Sequence, residues 1–305
     1  MIKKIIYLGT GALYLGQIYS WLADYWWGFE LFTHYSLHFL LASFVLILVA
    51  VKLRMWKTIP LLLVIFSIHS AQIAPYYETQ IAAPTNGPEI KIFSSNFLVS
   101  NEDFETIQTV IASEKPDFVQ ILEASYAWNK EKAMFEKDYP YITISEKTGS
   151  FGIVAASKYP AEFRHFTLAG YEALETVLNV KGAPLTILSV HPFPPSRKDL
   201  AELRNEQYKE LISKINSAAA NPIIVAGDFN SAPWSPWFEK LLDKTGLKDA
   251  ALGFGIINTW NVNIPFLKIP IDHVLASPDI AVEDFRRAAN VGADHYPIVA
   301  TLRLP

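Results

Sequence analysis

The run Phe39-Leu40-Leu41-Ala42-Ser43-Phe44-Val45-Leu46-Ile47-Leu48-Val49-Ala50-Val51 carries no charge, and it limits what this chain can become more than any other stretch. It lies within Leu31–Val51, the strongest of three apolar stretches. Ile5–Leu22 precedes it, interrupted by Gln17, and Ile59–Ala74 follows. Each is close to the roughly 20 residues that cross a bilayer. A cleavable signal peptide would account for the first stretch but not for two more behind it. About three transmembrane helices over residues 1–75 are therefore expected, with two as the fallback.

The charges give that anchor a direction. Lys3 and Lys4 precede the first stretch, and Lys52, Arg54 and Lys57 separate the second from the third. The turn between the first and second holds Asp24 and Glu30 and no Lys or Arg. Basic loops stay cytoplasmic, so the N-terminus is expected inside and everything after residue 75 outside the cytoplasm. The expected location is thus integral to a plasma or inner membrane, with the following domain extracytoplasmic. Tyr25, Trp26 and Trp27 suit an interfacial aromatic belt. His34 and His38 fall four apart on one helix face, and interfacial histidines account for them better than a metal or haem site. Gly9-Thr10-Gly11 follows no strand, so it reads as helix packing rather than a nucleotide loop.

Residues 76–89 contain Pro84, Asn86, Gly87 and Pro88 and read as a stiff, turn-rich linker. From residue 90 to 305, short apolar runs alternate with helical ones. Ile90–Phe93, Asp117–Leu122, Gly152–Ala156, Ile223–Ala226, Ile269–Leu275 and Ile298–Leu302 read as strands. Leu174–Val180 and Leu185–Val190 read as a hairpin across Lys181-Gly182-Ala183-Pro184. Phe104–Ser113, Asp199–Ile215 and Phe238–Leu242 read as helices.

Polar residues recur where these strands end: Asn96, Glu123, His191, Asp228, Asn230, Asp272, Asp294 and His295. In the stretch Pro222–Pro233, the β-branched run Ile223-Ile224-Val225-Ala226 gives way to Gly227-Asp228-Phe229-Asn230. Asp228 and Asn230 would face the same way if extended geometry persists. The carboxylate can take a proton and the amide can hold an oxygen, although a polar turn would use the same residues. Strand ends along one edge of an α/β sheet are where a site assembles. His273 follows Asp272 on a strand and should face the opposite side, in a core or hydrogen-bonding role. Arg204 reads as one half of a structural ion pair, and Trp260 as a neighbour of the site.

Composition narrows the chemistry. Cysteine is absent, which removes disulfides, thiolate zinc sites and cysteine nucleophiles. Residues 1–87 hold five basic and three acidic residues, a balance of +2, so the remainder carries −4 − 2 = −6. That is no basic platform for a long nucleic-acid footprint.

Gly-Asp-Phe-Asn at 227–230, Ile-Asp-His at 271–273 and Asp-His-Tyr-Pro at 294–297, in that order, resemble the endonuclease/exonuclease/phosphatase superfamily, the group of deoxyribonuclease I. The resemblance covers about residues 88–305. It implies an α/β fold, a four-layer α-β-β-α sandwich, and Mg²⁺-dependent cleavage of phosphoesters, with Mn²⁺ a substitute. By position, Glu123 resembles the principal metal ligand, with Asn96 beside it and Asp294 near the metal. Asp228 resembles the residue that activates the attacking water, and Asn230 the one that holds the phosphate. His191 resembles a second phosphate contact, and His295 the catalytic histidine oriented by Asp272. The implied substrate is a phosphoester of lipid or nucleic acid, and no obligate protein partner is indicated. The competing expectation is a non-catalytic membrane protein whose domain only binds a ligand or partner; the completeness of the polar set argues against it.

Overall fold

The computed structural model describes residues 1–80, 85–145, 149–218 and 221–305. Three helices open the chain, Ile2–Trp21, Ser36–Lys52 and Ile59–Ile73. The first runs antiparallel to the second: Gly9 lies against Leu46, and Gly16 against Phe39. A Cβ on Gly16 would sit 2.4 Å from the Phe39 ring, so the absent side chain lets the two helices close. Ile6, Leu13, Ala50, Met55, Leu62 and Ile65 form the shared seam. Two segments, Trp27–Lys52 and Ile59–Tyr76, are long and apolar enough to cross a membrane. The first helix is long enough at 20 residues, but Thr10, Gln17 and Ser20 dilute it, and it does not meet that measure.

Twelve strands follow among the described residues, in two six-stranded sheets. β1 (Glu89–Asn96), β2 (Phe118–Leu122), β3 (Tyr141–Ile144) and β4 (Ile153–Ser157) join β11 (Ala281–Arg287) and β12 (Ile298–Arg303) in the order β11-β12-β1-β2-β4-β3. β5 (Ala161–Leu168), β6 (Tyr171–Val180), β7 (Ala183–Val190), β8 (Ile223–Asp228), β9 (Lys248–Asp249) and β10 (Asp272–Ala276) form the second sheet, in the order β5-β6-β7-β8-β10-β9.

Side-chain alternation makes these sheets into layers. In β1, Ile92 points inward with Leu122 and Ile153, and meets Leu174, Ile187, Ile224 and Val274 of the other sheet. Its neighbour Phe93 points outward, to Ile107 and Ile111 of the helix Phe104–Glu114. On the far side, Leu188, Val225 and Leu275 pack on Tyr208 and Leu211 of the helix Lys198–Ser217 and on Phe238 of the helix Pro236–Thr245. The result is the four-layer α-β-β-α sandwich. Polar side chains also link the two sheets: Ser189 donates to Gln120 at 2.6 Å, and Gln120 donates to Ser94 at 2.8 Å.

The hairpin turn is tighter than its sequence suggests. Only Lys181 and Gly182 lie outside the strands, both at positive φ, and Pro184 is already paired with Asn179 in β7. The expected linker begins docked rather than free. Tyr76 is buried, its hydroxyl donates to Asp249 at 3.1 Å, and its carbonyl accepts from Gly255. Residues 81–84 of that stretch lie outside the described residues.

Candidate active site

Strand direction brings the polar residues to one edge. β1 and β2 are parallel, with Asn96 opposite Leu122, so Asn96 and Glu123 emerge together. β7 and β8 are also parallel, so His191 emerges beside Asp228. β10 starts at this edge antiparallel to β8, with Asp272 opposite Asp228. β12 starts there too, Ile298 opposite Ser94, and His295 precedes it. Gly227 allows the closest approach. It does not turn the chain but stays paired in β8, and a Cβ there would lie 1.9 Å from the Val190 carbonyl.

Asp228 is the hub. It is 1% exposed. Its Oδ2 lies 3.4 Å from His191 Nε2 on one side and 3.7 Å from His295 Nε2 on the other. Each imidazole is oriented from behind. His191 Nδ1 donates to the Ser150 carbonyl at 2.9 Å, and His295 Nδ1 donates to Asp272 at 2.8 Å. Those bonds leave both Nε2 atoms facing the cluster. Asp272 is held in turn by Thr259, whose hydroxyl accepts from the Asp272 amide at 3.4 Å.

The rest of the set closes on the same point. Asn96 donates to both Glu123 and Asp228 at 3.1 Å, while its own Oδ1 accepts from Leu98 N–H. Glu123 Oε2 accepts from Val99 N–H at 3.0 Å. Asn230 reaches Asp228 by a route the sequence reading did not foresee. Extended geometry ends at Asp228, and Asn230 is left-handed at φ +50 with its N–H bonded to Asp228 Oδ1 at 2.8 Å. Its side-chain amide donates to the Pro192 carbonyl at 2.9 Å and to Asp228 at 3.3 Å. Glu123 is also left-handed, at φ +57. Such backbone costs about 1–2 kcal/mol per residue and fixes where each side chain points. Asp294 stands slightly apart: its carboxylate accepts from the Trp260 indole at 3.0 Å.

Burial and neighbouring charge set the protonation. Burial works against charge on His295, but Asp272 and Asp228 overcome it and push its pKa up to about 10. Burial likewise opposes charge on His191, yet Asp228 and Glu123 raise its pKa. Burial alone would raise the Asp228 pKa, and the two histidines reverse that and lower it. Asp272 is raised, by burial first and by the nearby charge of Asp228. The cluster therefore offers an ionised carboxylate between two imidazoles that favour their cationic forms.

The donor set suits a hard divalent cation. Glu123 and Asp228 present carboxylate oxygens joined by the Asn96 amide, and Glu123 Oε1 lies 4.0 Å from His191 Nε2. Asp228, Asp272 and His295 bring one ligand atom each to within 4.8 Å of one another. Oxygen-rich, thiolate-free sites bind Mg²⁺ and its like.

The model of the Endonuclease/Exonuclease/phosphatase family matches residues 93–295, two thirds of the chain and every polar site residue described above. The chain belongs to the Endonuclease/Exonuclease/phosphatase family. Members of this family are metal-dependent phosphoester hydrolases. The family fold recurs in solved structures. The endonuclease/exonuclease/phosphatase from Bacteroides vulgatus is 18% identical with a TM-score of 0.60, covering 72% of this chain and 100% of that one. A humanized D. rerio TDP2 is 18% identical at 0.58, covering 70% and 99%. Sphingomyelinase C from Streptomyces griseocarneus is 17% identical at 0.53, also covering 70% and 99%. No curated protein matches the chain by sequence.

Around this family site lie residues that sequence reasoning passed over. Ser150 and Thr259 orient the two acid–imidazole arms, and nothing in their local sequence marks them. Glu30 was noted there only as an acidic residue of the outer turn. It is 2% exposed and forms a buried ion pair with Arg204, 2.8 Å from Nη1 to Oε1. Ser235 donates to Glu30 at 2.6 Å, and Ser231 accepts from Arg204 at 2.8 Å. His273 faces away from the site as its strand position predicts, with Nε2 donating to the Ser231 carbonyl at 3.0 Å. Trp260 borders His295, with ring centroids 6.4 Å apart.

Proposed function

We propose that this protein is a membrane-anchored, extracytoplasmic phosphoesterase that uses Mg²⁺ held by Glu123 with Asn96 beside it. The observation that carries the reading is Asp228 set between the Nε2 atoms of His191 and His295, with Asp272 behind His295. Bound there, the cation would neutralise phosphate charge and so make phosphorus easier to attack.

The chain's own residues do the rest. Asp228, ionised and buried, takes the proton of the attacking water. His295 keeps its cationic form through Asp272 and presents Nε2–H to a phosphoryl oxygen as charge grows there. His191 does the same from the other side. Asn230 can exchange its long bond to Asp228 for a substrate oxygen while its bond to Pro192 keeps it in place. Asp294 acts from further out, adding negative potential behind His295 and fixing Trp260.

The distribution of charge supports the membrane orientation. Lys3 and Lys4 begin the first helix, and Lys52, Arg54 and Lys57 sit at the turn between the second and third. Ile6, Ala50 and Met55 share one apolar cluster, so these five cations gather at one end of the helical bundle. Glu30, which meets the catalytic domain, is at the other end. A basic end stays cytoplasmic, which sends the domain outward. The TDP2 and sphingomyelinase C neighbours keep nucleic acid and lipid both in view as substrate.

The test uses the full chain in detergent. It should hydrolyse bis(p-nitrophenyl) phosphate with Mg²⁺, lose that activity in chelator, and recover it when Mg²⁺ is restored. Activity that survives exhaustive chelation overturns the reading.

A further inference from the structure

A cavity of about 300 Å³ adjoins the site, within the range of small-molecule pockets. One part of its wall comes from the N-terminal segment, as Leu31 and His34. Another part comes from the catalytic domain, as Pro194, Pro195, Trp260 and Ile271. Asn230 also lines it, and the Asn230 amide donates to Asp228, so the cavity adjoins the catalytic cluster directly. No lysine or arginine lines this wall. An apolar wall without cations is a poor seat for a nucleic-acid backbone, whose affinity comes from neutralised phosphates.

Two further observations point to a ligand. His34 is 6% exposed, and its Nε2 meets no hydrogen-bond partner among the described residues. Buried polar groups ordinarily have a partner, so an orphaned imidazole nitrogen marks this wall as unusual. The turn Pro265–Leu267 also leans on the anchor, where His38 Nε2 donates to the Phe266 carbonyl at 2.9 Å. That turn leaves Phe266 88% exposed, with Ile264 and Leu267 half exposed beside it. His38 belongs to a segment apolar enough to cross a membrane, so this apolar turn stands at the level of the bilayer surface.

We propose that the cavity receives the apolar part of a membrane phospholipid whose phosphoester lies in the Asp228 cluster. His34 and Leu31 form the wall of that cavity on the N-terminal side. The inference rests on the anchored-phosphoesterase reading and adds its substrate class. The anchor then forms part of the substrate site itself, and the lipid reaches the site from the leaflet without leaving the membrane surface.

The test is photolabelling of the full chain in vesicles of phosphatidylethanolamine and phosphatidylglycerol, with a trace of phosphatidylglycerol bearing an acyl-chain diazirine. Adducts should map to Pro194–Ser196 and to Trp260. They should fall about tenfold in Leu31→Trp, which fills the cavity from the anchor side. Ser196→Trp, at an exposed wall position, should do the same if Leu31→Trp does not fold. Adducts confined to residues 1–76, or labelling unchanged in a folded variant, overturn the proposal. Hydrolysis of bis(p-nitrophenyl) phosphate by the same preparation separates the two claims. Labelling without hydrolysis removes the phosphoesterase reading and leaves the lipid cavity. Hydrolysis without labelling removes the cavity and leaves the phosphoesterase. Cleavage of a single-stranded DNA oligonucleotide by an unlabelled chain assigns the site to nucleic acid and also overturns the proposal.

Discussion

Two groups of buried charges meet at neighbouring residues, Asn230 and Ser231, and they are built differently. Around Asp228, the carboxylates of Glu123, Asp228 and Asp272 face two imidazoles, and Nε2 of each imidazole lies within 4.0 Å of at least one carboxylate. Around Glu30, one carboxylate meets one guanidinium, and both are completed by hydroxyls of Ser231 and Ser235. The first group has an excess of negative charge and mobile protons, which suits a cation and a changing substrate. The second is neutral and saturated, which suits a fixed joint between the N-terminal segment and the domain. Burial alone therefore says little about role; the balance of charge and the spare hydrogen-bonding capacity distinguish the two.

The largest effects that would sharpen this contrast are on turnover. Asp228→Asn and His295→Ala should each lower kcat by about 10²-fold or more per folded molecule, with circular dichroism as the folding control. Asp272→Asn should resemble His295→Ala, and the double mutant should be little worse than either single. Additive losses in that cycle would break the pairing and return Asp272 to a structural role. Glu123→Gln keeps size but loses charge, so activity should collapse at low Mg²⁺ and partly return as Mg²⁺ is raised. Normal metal dependence in that variant would remove Glu123 as the ligand.

The joint should answer in stability instead. Glu30→Ala leaves Arg204 buried without its partner and should cost about 3 kcal/mol, read from denaturation of the full chain in detergent. Turnover per folded molecule should change far less than in His295→Ala. A variant that melts normally but fails to turn over would erase the distinction between the groups.

A smaller effect concerns pH. The His295 pKa, at about 10, lies above the ordinary 6.5 of an unfolded histidine. Its share of stability is therefore whole below pH 6.5 and declines as pH climbs towards 10. Imidazole NMR of the chelated protein should show His295 still protonated at neutral pH, and Asp272→Asn should bring its titration down. The smallest effect belongs to the exposed pair Lys209–Glu206, 2.9 Å apart. Removing it should change stability by no more than about 0.5 kcal/mol.

Much of this arrangement can be read from the chain, and what cannot has physical causes. Strands with mainly apolar runs, such as Phe118–Leu122, interrupted only by Gln120, and Ile223–Ala226, are buried on both faces and announce themselves. The strands missed, β3, β5, β9 and β11, are the edge strands of the two sheets. β5 reads Ala-Glu-Phe-Arg-His-Phe-Thr-Leu, half exposed and with Glu162, Arg164 and His165 along it, as an edge should be. The polar site residues were legible because they cluster at strand ends. Thr259 and Ser150 were not, because each acts on a histidine or carboxylate far away in sequence. The Arg204 ion pair was foreseen, but not its partner. Glu30 lies 174 residues away in the apolar third of the chain, where an acid at a turn reads as solvent-exposed.

The pairing of β1 with β12 has a consequence for how the molecule is made. Glu89 and Arg303, which bond each other across these strands, are 214 residues apart. β1 leaves the ribosome early and lacks its neighbour on that side until almost the whole domain has been synthesised. His295, delivered just before β12, reaches the site in the same late step. During that wait the three N-terminal helices, which pack on one another through Ile6, Ala50 and Leu62, can already form. The domain must then assemble through contacts of long sequence separation that form slowly. A nascent chain stalled before β12 would therefore carry a formed N-terminal helical segment and an open sheet edge, the kind of intermediate that proteases and chaperones recognise.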